Sequence, residues 1–327
     1  MTKQIWRKKG MSGNRVGVYF LGDDGVYEWA LGMLHSLRVV APDVLVYCVP
    51  FSDRLDRLRR LEFRYRFKII NDPSLVELDN IGYRLFSKMT NPPKMKLAAT
   101  FRKMYIFWGP LDRFLYTDAD VIMLDGFVDL FEGAATGDLK LQYAHSDIEQ
   151  VYRPGLLRQK MLQEFNTQAI NTGLWASRAG VFTLQRVREL ADEAGLVANE
   201  FCWTLEQPFL NYCLDVCRVT MKPFDIVGKE CAWPGDSRPL RSWFGPDGRV
   251  QVKWPDGSLA PAIHWAGYNL SSRMPYYSIY RHFGMAAMSF SERVGLFGRE
   301  LSETYDALSA GGVWQKIARI FSGKTSP

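Results

Sequence analysis

An α/β fold built on a mostly parallel, Rossmann-like central sheet is predicted by three features of this 327-residue chain. Short apolar runs alternate with amphipathic ones through the first half, as strands alternate with helices in doubly wound sheets. Those runs are nearly continuous in hydrophobicity, which suits strands covered on both faces. Acidic residues fall where the runs stop, and ligands in such sheets bind beyond the carboxyl ends of the strands.

The elements follow in order. "RVGVYFL" is strand-like and runs at once into Asp23 and Asp24. "YEWALGMLHSLRVV" places Trp29, Leu31, Met33, Leu34 and Leu37 at helical spacing. "VLVYCV" is a second strand. "SDRLDRLRRL" opens with a Ser52/Asp53 cap signal and sets Leu55, Leu58 and Leu61 on one helical face. "FRYRF" then alternates with period two, "RKMYIFWG" reads as helix, and "RFLYTDADVIML" reads as one buried strand over 113–124. In the second half "TQAINTGLWAS" is a strand, and "GVFTLQRVRELADEAG" and "TLEQPFLNYCLDV" are helices. The Trp-, Pro- and Gly-rich stretch 231–261 reads as loops, and "APAIHWAG" as a short last strand.

Composition narrows the class. With 47% hydrophobic and 23% charged residues the chain can bury one large core. No stretch reaches the roughly 18 apolar residues of a membrane span. The N-terminal "MTKQIWRKKGMSGNR" lacks the apolar core of a secretory signal. The five cysteines form no CxxC pair, so they are expected to be reduced thiols in a cytoplasmic protein. A net charge of +6 suits phosphate-bearing ligands or an anionic membrane surface. The arginines of "RLDRLRRLEFRYRFK" are expected on a solvated helix face, with no nucleic-acid partner.

Two aspartates, Asp118 and Asp120, interrupt the greasiest strand. Residues two apart on a strand point to one side, so the pair can converge at a strand end. Buried carboxylates need compensation, and two hard oxygen donors suit a hard divalent cation, Mg²⁺ or Mn²⁺, often shared with substrate phosphates.

Five segments in order, "FLGDDGVYEWALGMLHSL", "RKMYIFWGPLDRFLYTDADVIMLDG", "AINTGLWAS", "LEQPFLN" and "IHWAG", carry a resemblance to glycosyltransferase family 8. That family holds the retaining, nucleotide-sugar-dependent transferases such as glycogenin and the lipooligosaccharide galactosyltransferases. The resemblance implies a GT-A fold, a catalytic domain over 14–270 and a C-terminal helical extension over 271–327. It implies a UDP-sugar donor, Mn²⁺ or Mg²⁺, and transfer to a glycan, glycolipid or protein acceptor. By the family's motifs Asp118, Asp120 and His264 would hold the metal. Gly22, Asp23, Asp24, Arg102 or Lys103, Asp147, Asn171 and Gly173 would bind the donor, and Glu206 and Gln207 would face the reacting carbon. Three departures stand out. Leu270 occupies the position of a lysine that contacts the diphosphate, with Arg273 nearby as a substitute. Gly25 and Val26 intervene before Tyr27, and Glu206 replaces the more usual aspartate.

Two other features bear on acceptors. Trp203, Trp233, Trp243, Trp254 and Trp265 are an excess that suits core packing or a stacking platform for a sugar. "GGVWQKIARIFSGK" puts Trp314, Ile317, Ile320 and Phe321 opposite Lys316, Arg319 and Lys324, the pattern of an interfacial helix at a membrane or of one packed on the domain. Two rival functions remain: a non-catalytic sugar-binding protein, and a sugar nucleotidyltransferase. The second needs a basic Gly-rich loop where this chain has the acidic "FLGDDGVY".

Overall fold

Among the described residues seven strands form the central sheet: β1 (Val16–Gly22), β2 (Leu45–Pro50), β3 (Phe67–Ile69), β4 (Arg113–Thr117), β6 (Leu141–Tyr143), β7 (Leu174–Arg178) and β8 (Met221–Pro223), in the order β3-β2-β1-β4-β7-β6-β8. The computed structural model describes residues 15–127, 130, 139–202, 206–224 and 230–310, the last six as backbone. Every strand runs parallel except β7, which is antiparallel to both of its neighbours. The sheet is therefore mostly parallel, as the alternation of elements predicts.

Strand alternation sorts the core into two layers. Tyr19, Phe114, Tyr116 and Trp175 point to one face. There they meet helix α3 (Ser74–Ser87) and a stretch of 3-10 helix, Met95–Phe107. Val18, Phe20, Leu115 and Ala176 point to the other, against α1 (Tyr27–Val40) and α2 (Asp56–Tyr65). Gly17 lets β1 and β2 approach: a Cβ there would lie 2.5 Å from the Leu45 carbonyl oxygen.

Beyond the sheet lie α4 (Leu156–Glu164), α5 (Leu184–Gly195) and α6 (Gln207–Val216). A two-stranded ladder pairs β5 (Val121–Met123) with β11 (Ala262–His264), and a hairpin joins β9 (Arg241–Phe244) to β10 (Val250–Lys253). Helices α7 (Tyr277–Ala287) and α8 (Phe290–Ala310) follow. Tyr280 of α7 packs against Gly32 and donates to the Glu28 carbonyl at 2.8 Å, and Ile279, Tyr280 and Phe283 share a buried cluster with Ile263 and Trp265. No described helix is long and apolar enough to cross a membrane. The amphipathic pattern around Trp314 lies outside the described residues.

Several local expectations are corrected. The run 113–124 is two strands, not one, broken at Asp118–Asp120. Helix α2 continues to Tyr65, ending on Arg66 in the left-handed region, so the period-two reading of 63–67 gives way to β3 at 67–69. The Ser52/Asp53 signal does not cap α2, whose N-cap residue is Leu55. The stretch 231–261 holds the β9–β10 hairpin rather than loops alone.

One buried acid on α6 makes a pH prediction. Asp215 on α6 accepts from the Tyr152 hydroxyl at 2.8 Å. Burial pushes its carboxyl up to about 6, against the hydrogen bonds from Thr167 and Tyr152. Because the folded-state value lies above the unfolded one, about 3.9, the native state binds the extra proton between them. Stability therefore falls as pH rises from about 4 to about 6, and the penalty stays in full above that. Asp215→Asn removes it. The variant is expected to gain about 1–3 kcal/mol over wild type near pH 8 and nothing near pH 4, read by urea unfolding at both.

Candidate active site and metal centre

The chain leaves the sheet at Thr117 and crosses to β5 through Asp118, Ala119 and Asp120. The turn is pinned on both sides. Asp118 N–H donates to the Gly173 carbonyl at 2.7 Å, and Trp265 N–H donates to the Asp120 carbonyl at 3.1 Å. The β5–β11 ladder sets His264 opposite Val121, so three residues far apart in sequence meet. Asp118, Asp120 and His264 each offer a ligand atom, all within 4.8 Å of one another. Nε2 of His264 is 3.4 Å from Oδ1 of Asp120. Gly173 is required by this closeness: a Cβ there would lie 2.2 Å from His264 Cε1 and 3.0 Å from Asp118 Oδ2.

The donor set fits a divalent cation. Among the described residues, Oδ1 of Asp120, the oxygen that faces His264 Nε2, is buried without a hydrogen-bond partner. Such orphaned atoms are costly unless something else satisfies them. Two carboxylates and an imidazole suit Mn²⁺ or Mg²⁺. The two oxygens of Asp118 have separate surroundings. Oδ1 accepts from the Tyr116 hydroxyl at 2.5 Å and lies 3.4 Å from Lys103 Nζ, while Oδ2 is the oxygen that a Cβ on Gly173 would meet. Burial, reinforced by Asp118, holds the Tyr116 phenol well above its usual pKa, so it remains a donor.

Tyr116 thus orients Asp118, and partners of this kind carry much of a site's affinity. Tyr116→Phe is expected to weaken Mn²⁺ binding roughly 10- to 100-fold in a calorimetric titration. An unchanged Mn²⁺ affinity in a folded variant would show that the phenol does not position the ligand.

Of the two adjacent basic residues, Lys103 enters the site and Arg102 does not. Arg102 makes a two-pronged pair with Asp79 at 2.7 and 2.6 Å and donates to the Pro50 carbonyl at 2.9 Å. Lys103 is buried beneath Asp118, over the Tyr116 ring at 4.6 Å and in direct contact with the Glu206 carboxylate. Thr172 ties the cluster together. Its carbonyl accepts from Lys103 at 3.1 Å, its hydroxyl donates to Glu206 at 3.0 Å, and its N–H donates to Gln207 Oε1 at 3.1 Å. Pro208 sits in the first turn of α6, where a missing N–H costs least, and the helix start presents Glu206 and Gln207 inward.

Electrostatics reflect the shared burial. For Lys103 burial opposes the charge, but Asp118 and Glu206 outweigh it and raise the pKa. His264 is likewise raised, since Asp120 and Asp118 overcome its burial. Burial raises Asp118, with Asp120 adding repulsion and Lys103 opposing. His145, whose ring stacks 6.3 Å from that of His264, is pushed down to about 4 by burial and by His264, and so is neutral at physiological pH.

A cleft of about 460 Å³ opens beside Asp118 and Asp120, walled by Gly22, Asp23, Val26, Trp29, Phe51 and Leu97. Asp23 is buried there, accepting from Gly25 N–H at 2.7 Å and Ser52 Oγ at 2.6 Å, with Arg54 at 3.4 Å. Other expected donor residues are engaged elsewhere. The Asp24 carboxylate accepts from the N–H groups of Arg57 and Leu58, capping α2. Asp147 is exposed and caps the turn 148–150. Asn171 accepts from Gly173 N–H at 2.9 Å, shaping the approach to His264. Arg273 donates to the Glu303 carbonyl of α8, and Leu270 lines a separate small cavity against that helix.

Tyr116, Thr172, Arg54 and Phe51 join the site without having been singled out in the sequence. Tyr116 carried a signal, since it lies two residues before Asp118 on the same side of the strand.

No family model matches the chain, and no curated protein matches it in sequence. Solved structures do. The bifunctional glycosyltransferase WbbM superposes with a TM-score of 0.54 and 13% identity, over 90% of this chain and 53% of that one. The chain thus spans about half the length of WbbM. The galactosyltransferase LgtC, in complex with donor and acceptor sugar analogues, gives a TM-score of 0.52 and 13% identity over 84% of this chain and 96% of that one. An active-site mutant of LgtC gives 0.55 and 14%, over 85% and 99%. At such identities the likeness is one of fold. The protein has a GT-A glycosyltransferase fold, with its acidic cluster at the end of β4.

Proposed function

We propose that the protein is a metal-dependent, retaining glycosyltransferase moving a sugar from a UDP-sugar to a hydroxyl of a glycan, glycolipid or protein. The observation that carries the reading is the Asp118–Asp120–His264 cluster, in which Asp120 Oδ1 has no hydrogen-bond partner among the described residues and both aspartates stand at the wall of the 460 Å³ cleft. A Mn²⁺ or Mg²⁺ ion held by these three residues would supply Lewis-acid neutralisation of the diphosphate leaving group. The nucleotide is assigned to the wall formed by Gly22, Asp23 and Phe51, a reading supported by the position of that wall beside Asp118 and Asp120. Lys103 adds a second, buried cation beside Asp118, pre-positioned by Thr172.

In the reaction the bond from the anomeric carbon to the diphosphate oxygen breaks. A new bond forms to the acceptor oxygen, and the hydroxyl proton departs to the leaving diphosphate or to solvent. The anomeric carbon gains positive character on the way, by analogy with glycoside hydrolysis. The Gln207 carboxamide and the Glu206 carboxylate, held by Thr172, are the groups we assign to that charge. Residues 14–270 are taken as the catalytic part and 271–327 as a helical extension. The five cysteines, all free, suit a cytoplasmic setting.

The test is nucleotide release from UDP-, GDP- and ADP-sugars, with Mn²⁺ or with EDTA, in wild type and Asp120→Asn. Metal-dependent release from a UDP-sugar, lost in the variant, supports the reading. Metal and nucleotide binding without turnover of any donor overturns it in favour of a binding protein.

A further inference from the structure

Among the described residues, the tryptophans beyond position 230 divide sharply; Trp203 lies outside the described residues. Trp254 and Trp265 are buried in the core, whereas Trp233 is 40% exposed and Trp243 is 59% exposed. Of the exposed two, Trp233 is tied to the strand that carries His264. Its neighbour Ala232 donates to the Ala262 carbonyl at 2.8 Å and accepts from His264 N–H at 2.9 Å. Its indole N–H points to the Ala266 carbonyl at 3.4 Å. The indole is thereby fixed one residue along from the main-chain bond that anchors a metal ligand.

One ring face is covered and the ring is held. Gly235 lies against the six-membered ring so closely that a Cβ would sit 2.2 Å from Cη2. Asp236 N–H donates to the Trp233 carbonyl at 3.0 Å, closing a turn. Arg238 clamps that turn by bridging Asp236 and Glu230 and lies 4.0 Å above the Trp254 ring. The Asp236 carboxylate also acts on His145, whose Nε2 is buried without a partner beside His264. A rigid, half-exposed indole is an expensive surface to leave in water, and its apolar face with a polar N–H edge suits the C–H face of a sugar ring.

We infer that Trp233 is the stacking platform of an acceptor subsite for a hexopyranoside, beside the strand that carries His264. The inference rests on the proposed transferase function. Trp233 is not among the residues that wall the cleft we assign to the nucleotide, and it is linked to that cleft through His264, which contacts Asp120; we therefore place the incoming hydroxyl on the Trp233 side.

The experiment uses the full chain with Mn²⁺, the turned-over donor and a panel of p-nitrophenyl gluco-, galacto-, manno- and N-acetylglucosaminyl pyranosides. Transfer to each glycoside and hydrolysis of the donor by water are measured separately, in wild type, Trp233→Phe and Trp233→Ala. Loss of the indole is expected to raise the acceptor KM roughly 10-fold, and to reduce transfer far more than hydrolysis. Trp233→Phe recovers most of the loss. An unchanged acceptor KM in Trp233→Ala overturns the platform. So does a wild-type protein that hydrolyses donor but glycosylates no member of the panel, and the transferase reading then still stands. If no donor turns over, saturation-transfer NMR with the same glycosides decides. Binding lost in Trp233→Ala supports the platform while the transferase reading fails, and absence of binding overturns both.

Discussion

Asp120→Asn is expected to abolish metal-dependent donor turnover, by a factor on the order of 10³. The carboxylate has one buried oxygen without a hydrogen bond, and that oxygen lies 3.4 Å from His264 Nε2. An amide keeps the shape but removes the charge that would draw a cation there. The same change relieves repulsion with Asp118, which Asp120 pushes upward. It also weakens the contact that raises His264, so the two electrostatic changes oppose one another and the variant's stability is measured directly to keep lost turnover apart from unfolding. Thermal melting in EDTA and Mn²⁺ titration, run beside nucleotide release, separate the two effects. Turnover that stays metal-dependent in Asp120→Asn would place the ion outside this cluster.

The legible part of the fold was the part governed by local periodicity. β1, β2, β7 and α1, α5 and α6 announce themselves by the spacing of apolar residues. That β7 alone runs against its neighbours is decided by pairing between distant strands, which no local spacing records. Helices α3 and α4 were not picked out, and the β9–β10 hairpin was hidden by Trp, Pro and Gly that also serve loops. The break at Asp118 was invisible because the residues on both sides are equally apolar.

The site divides in the same way. Asp118 and Asp120 were readable because two charges in a buried run demand a partner. The choice between Arg102 and Lys103 was not. They are neighbours on a 3-10 helix, where successive side chains diverge by about a third of a turn. Which one faces the sheet depends on the phase of the helix, and Asp79 on α3 claims Arg102. Thr172 was quoted within "AINTGLWAS" but is an ordinary β-former there; its role comes only from the approach of α6.

Lys103 carries the second large expectation, on stability rather than turnover. Its ammonium is buried with Glu206, whose side chain is 5% exposed, and both meet at Thr172. Replacing Lys103 by methionine retains most of the packing but strands the Glu206 carboxylate and takes a cation from Asp118. Breaking a buried pair from one side costs about 3–5 kcal/mol, because an uncompensated charge remains. That is a large share of the roughly 5–15 kcal/mol that holds a domain folded. Measured in EDTA by urea unfolding, Lys103→Met should lose stability of this order. Adding Glu206→Gln should restore part of it, with a coupling of about 1–3 kcal/mol between the two changes. The amide can still accept from Thr172 Oγ1 and no longer needs a cation. Simple additivity would mean that the pair contributes nothing as a pair, and that Lys103 is held by Asp118 and the Thr172 carbonyl alone. Coupling of the expected size would mean that this chain balances a cluster of three acids with a built-in cation. It would then hold the Glu206 and Asp118 carboxylates in place before any metal or donor arrives.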